Sequence, residues 1–211
     1  ARALVRRSIA HYSLGDYPSA LRDADEAIEL AGEDQNLFAI KAQALKARGI
    51  SLHCLDCSEE SISNLEASLA IYQSLNDASN IATVYQELGI AYRSAGRMER
   101  ANEAYRQALD YWRVEGNYYR LANLLNNYGV FCHHLGQFEQ AAAAFDEGLK
   151  FARLIGFLRE QAFILASLGD LYADLQAYSD AEAVYEDSLA LAQQIENRFL
   201  CFYLNHALAC L

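Results

Sequence analysis

One motif recurs along this chain at an offset of about 40 residues, and internal repetition restricts the fold more than composition or any single site does. The clearest copy runs from Ala122 to Leu149 and reads as a helical hairpin. Leu125, Tyr128, Gly129 and Cys132 stand at i, i+3, i+4 and i+7, one face of a helix. Gly136 interrupts the pattern, as a glycine just past a helix end does. A second stripe follows in Phe138, Ala141, Ala142, Phe145 and Leu149. Small residues at Gly129, Ala141 and Gly148 let the two helices approach, and Leu125, Tyr128 and Phe145 fill the space beside them.

An earlier copy holds Tyr85, Leu88, Gly89, Tyr92, Gly96, Ala101, Tyr105, Ala108 and Leu109, and a later one Leu165, Leu168, Gly169, Tyr172, Ala181, Tyr185, Ser188 and Leu189. A weaker copy carries Leu45, Gly49, Leu52, Ser61, Leu65, Ser68 and Leu69, and the N-terminal one Leu4, Gly15, Tyr17, Ala20, Ala27 and Ile28. Repeats are therefore expected to start near 1, 42, 82, 122 and 162, with a partial sixth from about 198, all in one domain spanning residues 1–211. Pro18 fits the start of a second helix, and Ser58 is expected as an N-cap. Asp56 stands where other copies have glycine. Leu75, Ile155 and Ile195, with Tyr72, Ala152 and Ala192, are expected to prolong the second helices by about two turns.

These residues resemble the tetratricopeptide repeat, in which Leu-Gly and Tyr mark the first helix and Ala, an aromatic and Ala mark the second. Gly89, Gly129 and Gly169 with Ala101, Ala141 and Ala181 carry the match over nearly the whole chain. The spacing exceeds the usual repeat of about 34 residues, and the repeat ends lack proline. The chain is thus similar to the long-repeat subclass of kinesin light chains, Pins-type polarity adaptors and bacterial MalT-like or SARP-like transcriptional regulators. The resemblance implies an all-α, right-handed superhelical solenoid of antiparallel helix pairs. It also implies a non-enzymatic interaction module, serving as sensor or assembly module of a bacterial regulator.

With 211 residues, 53% of them apolar, the chain can bury a sizeable core, which in a solenoid is a continuous seam. A net charge of −11 repels phosphate backbones, so direct contact with nucleic acid is not expected. The same charge suits a basic partner. No run is long and apolar enough for a membrane helix, no signal peptide opens the chain, and five scattered cysteines suggest a reducing, cytoplasmic setting. The opening Ala1 and the final apolar stripe of Phe202, Leu208 and Leu211 are expected of a fragment, and that stripe of self-association through the last helix.

Candidate chemistry is sparse. Cys54 and Cys57 form a CxxC beside His53, but no second pair completes a four-ligand zinc site, so two reduced thiols are the simpler expectation. His133 and His134 point about 100° apart and do not form a bidentate pair. Asp170 and Asp174 share a helix face, with neither nucleophile nor third ligand beside them. No phosphate loop, HExxH or nucleophile elbow is present, and no cofactor is expected. Trp112 and the repeated aromatics read as core.

By the resemblance, first helices line the concave face, and their groove positions here are Arg2, Arg6, Gln43, Thr83, Glu87, Asn123, Asn127, His134, Asp170 and Asp174. Asn126 joins them, because adjacent amides can hold the backbone of an extended peptide through paired donors and acceptors. Asn127 matches the asparagine of peptide-binding members of the family. The clamp that binds chaperone tails needs Lys and Arg where this chain has Phe163 and Ser167, which disfavours that ligand. A protein or peptide partner is therefore the first expectation. A small effector comes second and a metal or hydrolytic enzyme third.

Overall fold

The computed structural model describes residues 1–211. Eleven α-helices and one short 3-10 turn, Gln35–Leu37, make up an all-α helical-repeat solenoid. They are α1 (Arg2–Ser13), α2 (Tyr17–Ala31), α3 (Phe38–Cys54), α4 (Ser58–Ser74), α5 (Ala78–Ser94) and α6 (Met98–Glu115). Then follow α7 (Tyr118–His134), α8 (Phe138–Leu154), α9 (Leu158–Asp174), α10 (Tyr178–Gln194) and α11 (Arg198–Ala209). The helices fall into two compact units, Ala1–Tyr111 and Trp112–Leu211.

The repeat length has a simple origin. Helices α3, α4, α5, α7, α8, α9 and α10 are each 17 residues long, and most are joined by three residues, as in Leu55-Asp56-Cys57. First helices accordingly begin at Phe38, Ala78, Tyr118, Leu158 and Arg198. From α3 to α9 these starts lie four residues ahead of the positions expected from the pattern.

The connections share one geometry. Their middle residue takes a positive φ, whether it is Gly96, Gly136 and Gly156 or the non-glycines Asp56, Asn76, Gln176 and Glu196. The next N–H then reaches back to a carbonyl five residues earlier: Cys57 to Leu52 at 3.0 Å, Gln137 to Cys132 at 2.9 Å and Ala177 to Tyr172 at 2.9 Å. This bond satisfies a carbonyl that the helix end would otherwise leave open. Helix starts are less uniform. Asp16, Asp77, Asn117 and Asn197 cap α2, α5, α7 and α11, each accepting a backbone N–H three residues on. The cap of α4 is Cys57, without a side-chain bond, so Ser58 is the first helical residue and not the expected N-cap. Leu75, Ile155 and Ile195 are C-caps. Tyr72, Ala152 and Ala192 thus extend the buried stripe of the second helices as expected, while the helices end just before Leu75, Ile155 and Ile195, of which Leu75 and Ile155 are exposed.

Helix pairing explains the regular spacing of small and large residues along the chain. A Cβ on Gly89 would lie 2.7 Å from the Tyr105 ring, and one on Gly129 2.5 Å from that of Phe145. Gly169 faces Tyr185 in the same way, and Gly49 faces Leu65. The missing Cβ lets the ring of the second helix lie on the backbone of the first. Tyr105 and Phe145 are wholly buried there. Buried Ser68 donates to the Ala42 carbonyl at 2.8 Å and Ser188 to the Ala162 carbonyl at 2.7 Å; Gly148 packs closely against the equivalent Ala122 carbonyl. Phe138, expected in the second stripe, instead opens α8 half-exposed, with its edge toward His133. Trp112 is buried.

In the first unit, Val5, Ala27, Ile40 and Ala44 form one buried cluster joining α1, α2 and α3. Arg7 forks onto buried Asp23 with two bonds of 2.6 Å, and this pair lowers the Asp23 pKa. The polar contact occupies a face where other copies are apolar. In the second unit, Ala162, Ala166, Ala181, Tyr185, Ala192, Leu200 and Leu204 tie α9, α10 and α11 together. No helix is long and apolar enough to cross a membrane.

Candidate functional site

The second unit brings α7 and α9 side by side, and a polar cavity of about 300 Å3 opens between them. Helix α7 contributes Tyr119, Asn123, Asn126 and Asn127, which follow at i, i+4, i+7 and i+8 and so share a face. Helix α9 contributes Arg159, Glu160 and Phe163 from its first turns, and its N-cap Phe157 completes the rim. Tyr119 and Phe157 stack at 4.7 Å, which forms an aromatic wall at the mouth.

The floor is rich in acceptors. Glu160 is only 5% exposed, and the amide of Asn123 donates to its carboxylate at 3.2 Å. Burial raises the Glu160 pKa, with the Asn123 bond and the Arg159 charge acting in the opposite sense. The side-chain oxygen of Asn126 is buried and has no donor. Such an orphan acceptor costs about 1–3 kcal/mol and invites a ligand donor. The Arg159 guanidinium does not fill the gap. It lies over the Phe163 ring, 5.7 Å from the centroid, and its side chain is exposed.

Asn123, Asn126 and Asn127, expected on a binding face, therefore line one cavity. Several other expected residues make contacts within the chain. Asp170 accepts hydroxyl hydrogens from Tyr185 at 2.6 Å and from Tyr203, and both tyrosine pKa values rise as a result of burial and this carboxylate. Asp174 lies 2.8 Å from the His133 ring, so it is His133, 13% exposed, and not His134 that reaches across from α7. His134 is exposed. Asp170 and Asp174 thus have separate hydrogen-bond partners, while both charges act on Tyr185 and Tyr203.

In the first unit, Thr83 is 8% exposed, with its hydroxyl donating to the Ser79 carbonyl at 3.0 Å. A threonine in the middle of a helix commonly makes this back-bond, which removes Thr83 from any open surface. Gln43 and Glu87 are half-buried, and Arg2 and Arg6 are exposed on α1. Cys54 and Cys57 are free, half-buried thiols, and no three His, Cys, Asp or Glu side chains converge anywhere as a metal-binding set.

Sequence reasoning missed Tyr119, Phe157, Arg159 and Glu160. All four precede the expected repeat starts near 122 and 162 and occupy the loop or first turn of a helix that begins earlier. Glu160 is an acidic residue in the first turn of a first helix, where α1, α3, α5, α7 and α11 have none, and that was the available signal.

The profile described as Tetratricopeptide repeat matches residues 40–113 and 120–194. The chain belongs to the tetratricopeptide-repeat family. Residues 1–45 also match the profile of Anaphase-promoting complex subunit 5. No curated protein matches. Among solved structures, the chain is similar to a signal transduction ATPase with numerous domains that carries a tetratricopeptide-repeat sensor, from Pyrococcus horikoshii. The identity is 18% and the TM-score 0.82, over 98% of this chain and 31% of that one. It is similar also to the Rap conjugation gene regulator of plasmid pLS20 in complex with the Phr* peptide, at 16% identity and TM-score 0.79, over 94% of this chain and 55% of that one. A thermophilic tetratricopeptide-repeat protein of Thermus thermophilus matches at 22% identity and TM-score 0.72, over 98% of each chain. The chain thus spans about a third of the first of these proteins and about half of the second. At these identities the likeness is one of fold.

Proposed function

We propose that this domain is a non-enzymatic interaction module that holds an extended peptide segment of a partner protein across α7 and α9. The family fold is a protein–protein interaction scaffold. The observation that carries the finer reading is the orphan Asn126 acceptor beside Asn123 and Asn127 in one cavity. Side-chain amides offer a donor and an acceptor together, which matches the repeating polar groups of a peptide backbone. The complex of the pLS20 Rap conjugation gene regulator with a peptide supports this choice of partner and a place in a bacterial regulator, and the Pyrococcus horikoshii protein supports a sensor role in signal transduction. The five unpaired thiols fit a cytoplasmic setting.

The test is selection of linear peptides from a random display library, followed by affinity measurement on the parent and on Asn126→Ala and Asn127→Ala. Each truncation removes hydrogen bonds worth about 1 kcal/mol apiece and should weaken selected peptides roughly fivefold. Peptides that bind both variants as tightly as the parent would sink the reading. A cavity near 300 Å3 also sits at the lower bound for small-molecule sites. Thermal stabilisation by a small metabolite, with no peptide selected, would favour an effector sensor instead.

A further inference from the structure

We propose that the cavity between α7 and α9 takes a lysine or arginine side chain of the bound peptide, its cationic head on Glu160 and Asn126 and its stem along Phe157 and Phe163. This rests on the peptide-binding reading above and names the chemistry that decides which peptide binds.

The argument begins with charge. An ionised carboxylate offers about four acceptor sites. Glu160, 5% exposed, receives a donor at 3.2 Å from a neutral amide. A buried carboxylate lacking a strong partner is costly, by several kcal/mol, and a cation bringing its own donors relieves that cost most completely. Asn126 adds a second buried acceptor with no donor in the chain. An ammonium has three donors and a guanidinium five, and neither carries an acceptor that would clash with this floor. An acidic side chain would set like charge against Glu160, and an aliphatic one would leave both acceptors unmet.

The walls fit the rest of such a side chain. Phe157, Phe163 and Tyr119 line the cavity, so a stem of three or four methylenes lies against apolar rings while its head reaches the floor. Arg159 is the one cation among the lining residues; it is exposed, where solvent screens it, and already occupies the Phe163 face at 5.7 Å. The net charge of −11 draws basic segments toward the chain.

The experiment compares the parent with Glu160→Gln in the same random heptapeptide selection. The parent should fix Lys or Arg at one position of its binders. Replacing that residue by norleucine should lower affinity at least tenfold in the parent, the effect of losing charge-assisted hydrogen bonds worth roughly 1.5–3 kcal/mol. In Glu160→Gln the same replacement should change affinity less than about threefold. An Asn126→Leu variant should reduce the preference as well. Equal acceptance of Lys and Arg indicates a point charge, and preference for Arg a bidentate contact; both support the proposal. Binders lacking a fixed cation, or a norleucine penalty as large in Glu160→Gln as in the parent, overturn it while leaving peptide binding intact. An empty selection overturns both readings.

Discussion

Adding one methyl group at Gly129 tests the packing rule that sets the repeat. Its Cβ would lie 2.5 Å and 2.6 Å from two carbons of the Phe145 ring, and that ring is wholly buried. One side must move, and the ring has no solvent to move into. Overpacking of this kind costs about 1–3 kcal/mol, toward the upper end where the obstacle is a buried aromatic. Alanine returns up to about 1 kcal/mol through helix propensity. The net loss expected of Gly129→Ala is thus about 2 kcal/mol, or a drop of roughly 4–8 °C in the melting temperature of a chain this size. Thermal melting followed by far-ultraviolet circular dichroism reads it. The decisive comparison is a cycle with Phe145→Ala, which alone should cost about 3–5 kcal/mol by opening a cavity. In that background the added methyl meets empty space, so Gly129→Ala should become neutral or stabilising. If it destabilises equally in both backgrounds, the clash is not the reason for glycine and the packing rule fails.

Other positions answer to different forces. Gln176 and Glu196 hold φ of 60° and 54°, so Gln176→Gly and Glu196→Gly should each stabilise by about 0.5–1 kcal/mol, read as a higher urea midpoint. Ala177, the N-cap of α10, bonds nothing through its side chain, and Ala177→Asp should raise stability by about 1 kcal/mol at neutral pH and less in acid. Ser188→Ala removes a buried 2.7 Å bond and should cost about 1 kcal/mol in the same assay. Glu160 has a folded pKa above its unfolded value of 4.5, so its ionised form burdens the fold above the folded pKa. That burden lifts as pH falls from the folded pKa toward 4.5. Glu160→Gln should therefore melt higher than the parent at about pH 7, with the gap closing as the pH is lowered through this window.

How much was legible before the structure depends on which physical signal each feature leaves. The glycines facing Tyr105, Phe145 and Tyr185 were readable because close helix approach demands a small residue at fixed spacing from a large one. The repeat pattern places its boundaries four residues late. It marks where helices pack, and the first turn of each packs least, so its sequence carries little periodicity. That offset hid Tyr119 and Glu160 while leaving Asn123, Asn126 and Asn127 in view. The fate of Asp170 was unreadable for another reason. Its partners, Tyr185 and Tyr203, come from two later helices, and nothing local in the sequence distinguishes a carboxylate aimed at hydroxyls from one facing solvent. Thr83 could have been placed, since threonine within a helix tends to bond its own preceding turn.

The most direct test of the central claim follows the side-chain amide resonances of Asn123, Asn126 and Asn127 in a nitrogen-labelled sample as a selected basic peptide is titrated in. The account predicts that these three signals shift together and saturate at one affinity, and that Glu160→Gln weakens that affinity about tenfold. Saturable binding that leaves all three amides unmoved would contradict it and place the partner elsewhere on the chain.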